Sequence, residues 1–203
     1  MARIKPIKNG TKKDVIIRKA SALFRTKGYA ATSMRDLAIS VGVEAPSLYN
    51  HIGSKIELLQ DICFKIAGEF TAHLEKTDRE NVSVLIKLEQ IIRFHIYMML
   101  EQFDEVFIAN HEWKYLKEPN LGTFLNQRRG YENKLVALVE KGVETNEFKK
   151  SNPYVTVLTL LSALRGLEFW LRHKKKFNPQ DLANEMVDHL LRGMVKQKLA
   201  VGS

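Results

Sequence analysis

Residues 33–55, SMRDLAISVGVEAPSLYNHIGSK, constrain what this chain can fold into more than any other stretch. Ser33 and Asp36 have the spacing of a capping box: the hydroxyl can accept from an open N–H at a helix start while the carboxylate reaches back. Met34, Leu37, Ala38 and Val41 follow at helical spacing and give one apolar face. Gly42 supplies the left-handed residue that ends such a helix. Val43 turns inward, and Pro46 stands in the first turn of the next helix, where its missing N–H costs nothing. Leu48 and Ile52 make the buried side of that second helix, leaving Ser47, Asn50 and His51 outside. Two short helices crossed over the small Ala38, with a glycine turn between them, make a helix-turn-helix, whose second helix enters the DNA major groove.

The flanking sequence extends this motif into an all-α chain. Ile16, Ala20, Leu23 and Phe24 predict an amphipathic helix from Lys12 to Thr26, closed by the basic Lys27 and a Gly28 cap. Ser54 and Glu57 form a second capping box, opening a helix that runs to about Lys76 and is too long to belong only to a small head. Further helices are expected at Val82 to Phe103, Asp104 to Tyr115, Leu121 to Asn146, Tyr154 to His173 and Pro179 to about Leu199. No alternating strand pattern and no internal repeat is visible. Residues 1–11 carry Arg3, Lys5 and Lys8 with Pro6 and Gly10 and no periodicity, and read as a flexible basic arm. The expected domains are therefore this arm (1–11), a three-helix helix-turn-helix head (12–57) and a helical body (58–203).

Charge supports a nucleic-acid partner. The net charge of +9 is concentrated in residues 1–60, where eleven Lys and Arg face four Asp and Glu; the remaining residues hold twenty-one against nineteen. A solvated basic surface is the ordinary reading of such an excess, but its placement around a helix-turn-helix favours a phosphate-binding footprint. The single cysteine, Cys63, excludes an internal disulfide framework and a cysteine-based zinc site and fits a reducing cytoplasm. No continuous run approaches the roughly 18 apolar residues of a membrane span, and the basic N-terminus lacks the apolar core of a signal peptide. An enzyme is the competing class. His111-Glu112 begins like a zincin motif, but Tyr115 stands where the second histidine belongs, and no nucleophile elbow, P-loop or dinucleotide loop occurs. No catalytic residue, metal site or cofactor is expected.

The segment Ile17–Leu59 resembles the DNA-binding domain of TetR-type (TetR/AcrR) transcriptional regulators. The resemblance is carried by Ala20, Leu23-Phe24, Gly28-Tyr29, Thr32, Arg35-Asp36-Leu37-Ala38, Gly42-Val43, Leu48-Tyr49, His51, Lys55 and Leu58, in register over some forty residues. Two positions depart from the family pattern: Ile52 replaces the usual Phe, and Glu44 stands where a small hydroxyl normally caps the recognition helix. The resemblance implies phosphate contacts from Thr32, Arg35, Tyr49, His51 and Lys55. Glu44, Ala45, Pro46, Ser47 and Asn50 then face base edges, where Asn can pair with adenine, Glu can accept from a cytosine amine, and Ala or Pro can touch a thymine methyl. Tyr49 packing against the head and Lys55 as a solvated charge are the structural alternatives.

The body adds a partner and a ligand. Tyr154 to Trp170 is apolar on nearly every side, so one face can meet a core while the other needs cover. The resemblance implies a homodimer through the last two helices, placing two recognition helices about 34–36 Å apart on a pseudo-palindromic operator. The aromatic and Met-rich set Phe94, Tyr97, Met98, Phe103, Phe107, Trp113, Phe124 and Tyr131 reads from its periodicity as core more readily than as a pocket; the family habit of sensing small molecules raises the pocket reading. Arg165 and Glu168, charged within an apolar helix, are either an ion pair one turn apart or a polar anchor, and Arg128, Arg129 and Lys114 could meet an anionic ligand or merely be surface. The body is loosely similar to members that respond to acyl-CoA thioesters. The expected function is a cytoplasmic repressor released by a small apolar or acyl-type effector. A DNA-binding protein of the same fold without a ligand is the alternative.

Overall fold

In the computed structural model the described residues are 11–172 and 178–195. The arm expected over 1–11 lies, apart from Thr11, outside them, as do His173 and Leu199, the expected ends of the last two helices. The described fold is helical: α1 (Lys12–Lys27), α2 (Met34–Val41), α3 (Ala45–Tyr49), α4 (Lys55–Asp78), α5 (Val84–Glu101), α6 (Phe103–His111), a 3-10 turn (Trp113–Tyr115), α7 (Asn120–Glu144), α8 (Pro153–Arg172) and α9 (Pro179–Arg192). It forms two compact units, Met1–Glu69 with Gln102–Gln127, and Phe70–Glu101 with Arg128–Ser203.

In the first unit the local signals set the helix ends. Ser33 Oγ accepts from the Asp36 N–H at 3.1 Å, and Asp36 Oδ2 accepts in return from the Ser33 N–H at 2.8 Å. The Lys27 ammonium, 2.6 Å from the same carboxylate, and the Ser33 donors hold the Asp36 carboxyl well below the usual range. A matching box of Thr11 and Asp14 opens α1. Gly42 adopts the left-handed conformation (φ 85°, ψ 35°), and its N–H and that of Val43 return to the Ala38 carbonyl. Lys19 closes the same end from α1, donating to the carbonyls of Ser40 at 2.9 Å and Val41 at 3.3 Å. Phe24, Leu37, Leu48, Leu58 and Leu59 then fill one core with α6 residue Ile108 and α7 residue Phe124. Arg25 of α1 pairs with Asp104 of α6. Ser33→Ala removes the α2 cap and is expected to lower stability by about 1 kcal/mol, read as a shifted midpoint in chemical denaturation.

The second unit is built on α5, which packs against α8 and α9. Leu88, Ile91, Ile92 and Ile96 bury one side of α5, and Val157, Leu160, Leu161 and Leu164 the facing side of α8. Phe148 lies so close over Gly142 that a Cβ there would come within 2.3 Å of its ring, which explains a glycine inside α7. Helix α9 ends at Arg192, and an isolated antiparallel bridge joins Phe148 to Val195. The outer side of α8 is uncovered: Tyr154, Val155, Leu158, Phe169 and Trp170 are each more than half exposed. By length and composition alone, Pro153–Leu171 could also cross a membrane, with a mean hydropathy of 1.3; averaging finds a span that the count of continuous apolar residues does not. The buried side of α8 forms part of the unit's own core.

Candidate functional site

The recognition helix is shorter than its sequence suggests. It spans Ala45–Tyr49, and Asn50, His51 and Ile52 follow in a turn, with the Ile52 N–H returning to the Leu48 carbonyl at 3.1 Å. Glu44 occupies the N-cap position without a side-chain cap bond, because its longer side chain replaces the short hydroxyl suited to that role. Leu48 and Ile52 anchor the element, so Ile52 fills the core position of the usual aromatic residue. Around them Arg35, Glu44, Pro46, Tyr49, Asn50 and His51 are exposed, with Ala45 and Ser47 half-buried. Tyr49 is 51 % exposed, which argues against a purely packing role.

Two sequence candidates are engaged internally. Thr32 is 1 % exposed, and its hydroxyl donates to the Gly28 carbonyl at 2.8 Å. Lys55 donates to the carbonyls of Thr32 at 2.7 Å, Tyr29 at 3.0 Å and Ala30 at 3.4 Å, with its ammonium 4.6 Å above the Tyr29 ring. Its three donors therefore tie the α1–α2 linker to the start of α4. Ile39, on the exposed side of α2 one turn after Arg35, is 70 % exposed and escapes the sequence reading because its neighbours spell an apolar face.

The effector candidates are split between the units. Phe107 and Trp113 sit at the margin of the first unit's core. In the second, Phe94 and Tyr131 join through Phe70, at ring distances of 5.8 Å and 6.2 Å, while Met98 is buried and Tyr97 and Arg129 face outward. Arg165 reaches Glu132 of α7 at 3.7 Å, and Glu168 is buried on the inner side of α8. Sequence reasoning missed the two histidines of this cluster. His73 stacks flat on Phe94 at 3.9 Å; His95 stacks on Phe70 at 4.4 Å and meets the Tyr131 hydroxyl at 2.7 Å. The available signal was a polar residue at an apolar-periodic position of α5, in step with Leu88 and Ile91.

Burial, helped by the nearby Arg165 charge, brings the His95 pKa down from 6.5 to about 3. The unfolded chain takes up a proton near pH 6.5 that the folded chain refuses, so this stabilisation is full above pH 6.5 and lost as pH falls toward 3. Wild type should lose stability over that window at up to roughly 1.4 kcal/mol per pH unit from this group, and His95→Phe should show a flatter profile in pH-dependent denaturation.

A basic helix-turn-helix unit joined to a helical second unit defines a DNA-binding regulator rather than an enzyme. Residues 16–62 match the family profile described as "Bacterial regulatory proteins, tetR family", and residues 82–194 match "Tetracyclin repressor-like, C-terminal domain". The chain belongs to the TetR family of bacterial transcriptional regulators. It is 24 % identical over 150 residues, 73 % of each chain, to HTH-type transcriptional repressor KstR2 of Mycolicibacterium smegmatis (strain ATCC 700084 / mc(2)155). Among solved structures it resembles the ketosteroid transcriptional regulator KstR2 of Mycobacterium tuberculosis, with a TM-score of 0.85 at 19 % identity over 96 % of this chain and 100 % of that one. It also resembles AibR in complex with isovaleryl coenzyme A and operator DNA, with a TM-score of 0.76 at 21 % identity over 87 % and 96 %. These two likenesses are of fold.

Proposed function

We propose that this protein is a cytoplasmic repressor that binds a pseudo-palindromic operator as a homodimer and releases it when an acyl-type effector, such as an acyl-CoA, occupies the 58–203 domain. One observation carries the DNA part above all: Leu48 and Ile52 anchor the recognition element from beneath while Tyr49, Asn50 and His51 stay exposed on the basic 12–57 domain. In this reading Arg35, Tyr49 and His51 fix register on phosphates, with Lys55 and Thr32 contributing through the linker they hold. Glu44, Ala45, Pro46, Ser47 and Asn50 read base edges, with Glu44 selecting a cytosine amine. The uncovered side of α8 supports the homodimer. The KstR2 relative is a transcriptional repressor, which supports repression, and the complex of AibR with isovaleryl coenzyme A and operator DNA supports an acyl effector.

The test is a footprint on the DNA upstream of the protein's own gene, repeated with acyl-CoA thioesters. Protection of an inverted repeat that weakens steeply with salt and is lifted by a thioester is the expected result. Protection that no thioester lifts would select the ligand-free reading. Absence of any sequence-specific protection would sink the operator assignment.

A further inference from the structure

We infer that Lys19 is a positioning residue for base reading: its ammonium fixes the turn from which the recognition helix starts, so its loss costs operator preference more than general DNA affinity. This role rests on the base reading proposed for the start of α3 and deepens it. The last four carbonyls of α2, those of Ala38, Ile39, Ser40 and Val41, need partners from beyond the helix. Gly42 donates to Ala38 at 2.9 Å and to Ile39 at 3.1 Å, and Val43 donates to Ala38 at 3.0 Å. Ser40 and Val41 are served from another helix, by the Lys19 ammonium of α1 at 2.9 Å and 3.3 Å. A cation there also meets the negative pole of the α2 dipole. At the opposite end of α2, Lys27 lies 2.6 Å from the Asp36 carboxylate of the capping box, so α1 grips α2 at both ends.

The recognition helix has little of its own to set where it begins. It spans five residues, and Glu44 gives its N-terminus no side-chain cap bond. Its anchors, Leu48 and Ile52, lie toward or beyond its far end, away from Glu44, Ala45 and Pro46. The direction of that start is therefore set by the chain leading into it, where the left-handed Gly42 follows directly on the two carbonyls that Lys19 holds. Base readout needs side chains placed to within about 0.5 Å, whereas attraction to the phosphate backbone tolerates a looser head. Lys19 is itself exposed, so a phosphate contact is the competing role. A phosphate-binding ammonium adds to affinity on every sequence alike.

The full-length wild-type protein first selects its preferred duplex from a random-sequence library. That duplex and a scrambled one of the same composition are then titrated by fluorescence anisotropy over a range of salt concentrations. Lys19→Met, which keeps the aliphatic stem, is expected to lose at least about tenfold on the selected duplex and less than about twofold on the scrambled one, with both salt slopes unchanged. Lys19→Arg, whose forked guanidinium can serve two neighbouring carbonyls, is expected to recover most of the preference. Lys19→Gln keeps the test available should Lys19→Met not fold. Equal losses on the two duplexes would overturn the inference, and a slope that falls by about one would then identify a phosphate contact. An unchanged ratio of the two affinities would overturn it as well, while leaving base reading by α3 in place. Selection of no preferred duplex by wild type would overturn the base-reading assignment itself and this inference with it.

Discussion

Leu158→Arg is expected to convert the protein from dimer to monomer at micromolar concentration and to weaken operator binding by about 10²–10⁴-fold. Leu158 is 54 % exposed on the face of α8 that also carries Tyr154, Val155 and Phe169. These residues recur at helical spacing opposite Val157, Leu160, Leu161 and Leu164, which are buried in the unit's own core. In the proposed homodimer this stripe forms the interface. An arginine at Leu158 would meet its own symmetry mate or apolar neighbours across a two-fold axis, so both copies carry the penalty. Because the substitution leaves the first unit untouched, the monomer should retain weak half-site binding. Sedimentation equilibrium and operator titration read the two effects separately. Wild type sedimenting as a monomer would defeat the assignment.

Lys55→Ala is expected to lower stability by about 2–3 kcal/mol and to reduce operator affinity at least tenfold, with little change in the salt slope. The ammonium donates to three carbonyls of the α1–α2 linker, and a charged donor is worth roughly 1.5–3 kcal/mol where it is partly shielded. Without it, water replaces the ammonium at the linker carbonyls and the register of α2 against α4 loosens. A phosphate contact instead predicts that the slope of log affinity against log salt falls by about one while the melting midpoint stays put. Lys55→Arg sharpens the distinction, since a planar guanidinium meets a phosphate well but does not reproduce three converging bonds to a turn.

Much of the head was legible because its signals are local. A capping box needs two residues three apart, and the Gly42 turn needs a single left-handed residue; both stand as the sequence implies. The length of α3 was misread because Leu48 and Ile52 share a face in a helix and equally in the turn that follows it. Lys55 was legible as a cation near a helix start but not as an internal tie, since its partners lie 23 to 26 residues back. The effector set was less legible. Aromatic residues at helical spacing do not reveal whether they line a core or a pocket, and the charge of Arg165 pointed along its own helix to Glu168 while the fold turns it toward Glu132.

By itself the sequence determined that the chain is helical, where most helices begin and end, and that a basic helix-turn-helix reads DNA. Those properties depend on residues within a few positions of one another and on composition. Only the tertiary structure decided that Arg25 pairs with Asp104, that Thr32 turns inward, that His95 is held neutral against Tyr131 and that α8 keeps one apolar side uncovered. Each of these depends on which faces of distant helices meet, and burial changes both the partners and the protonation of a side chain once they do.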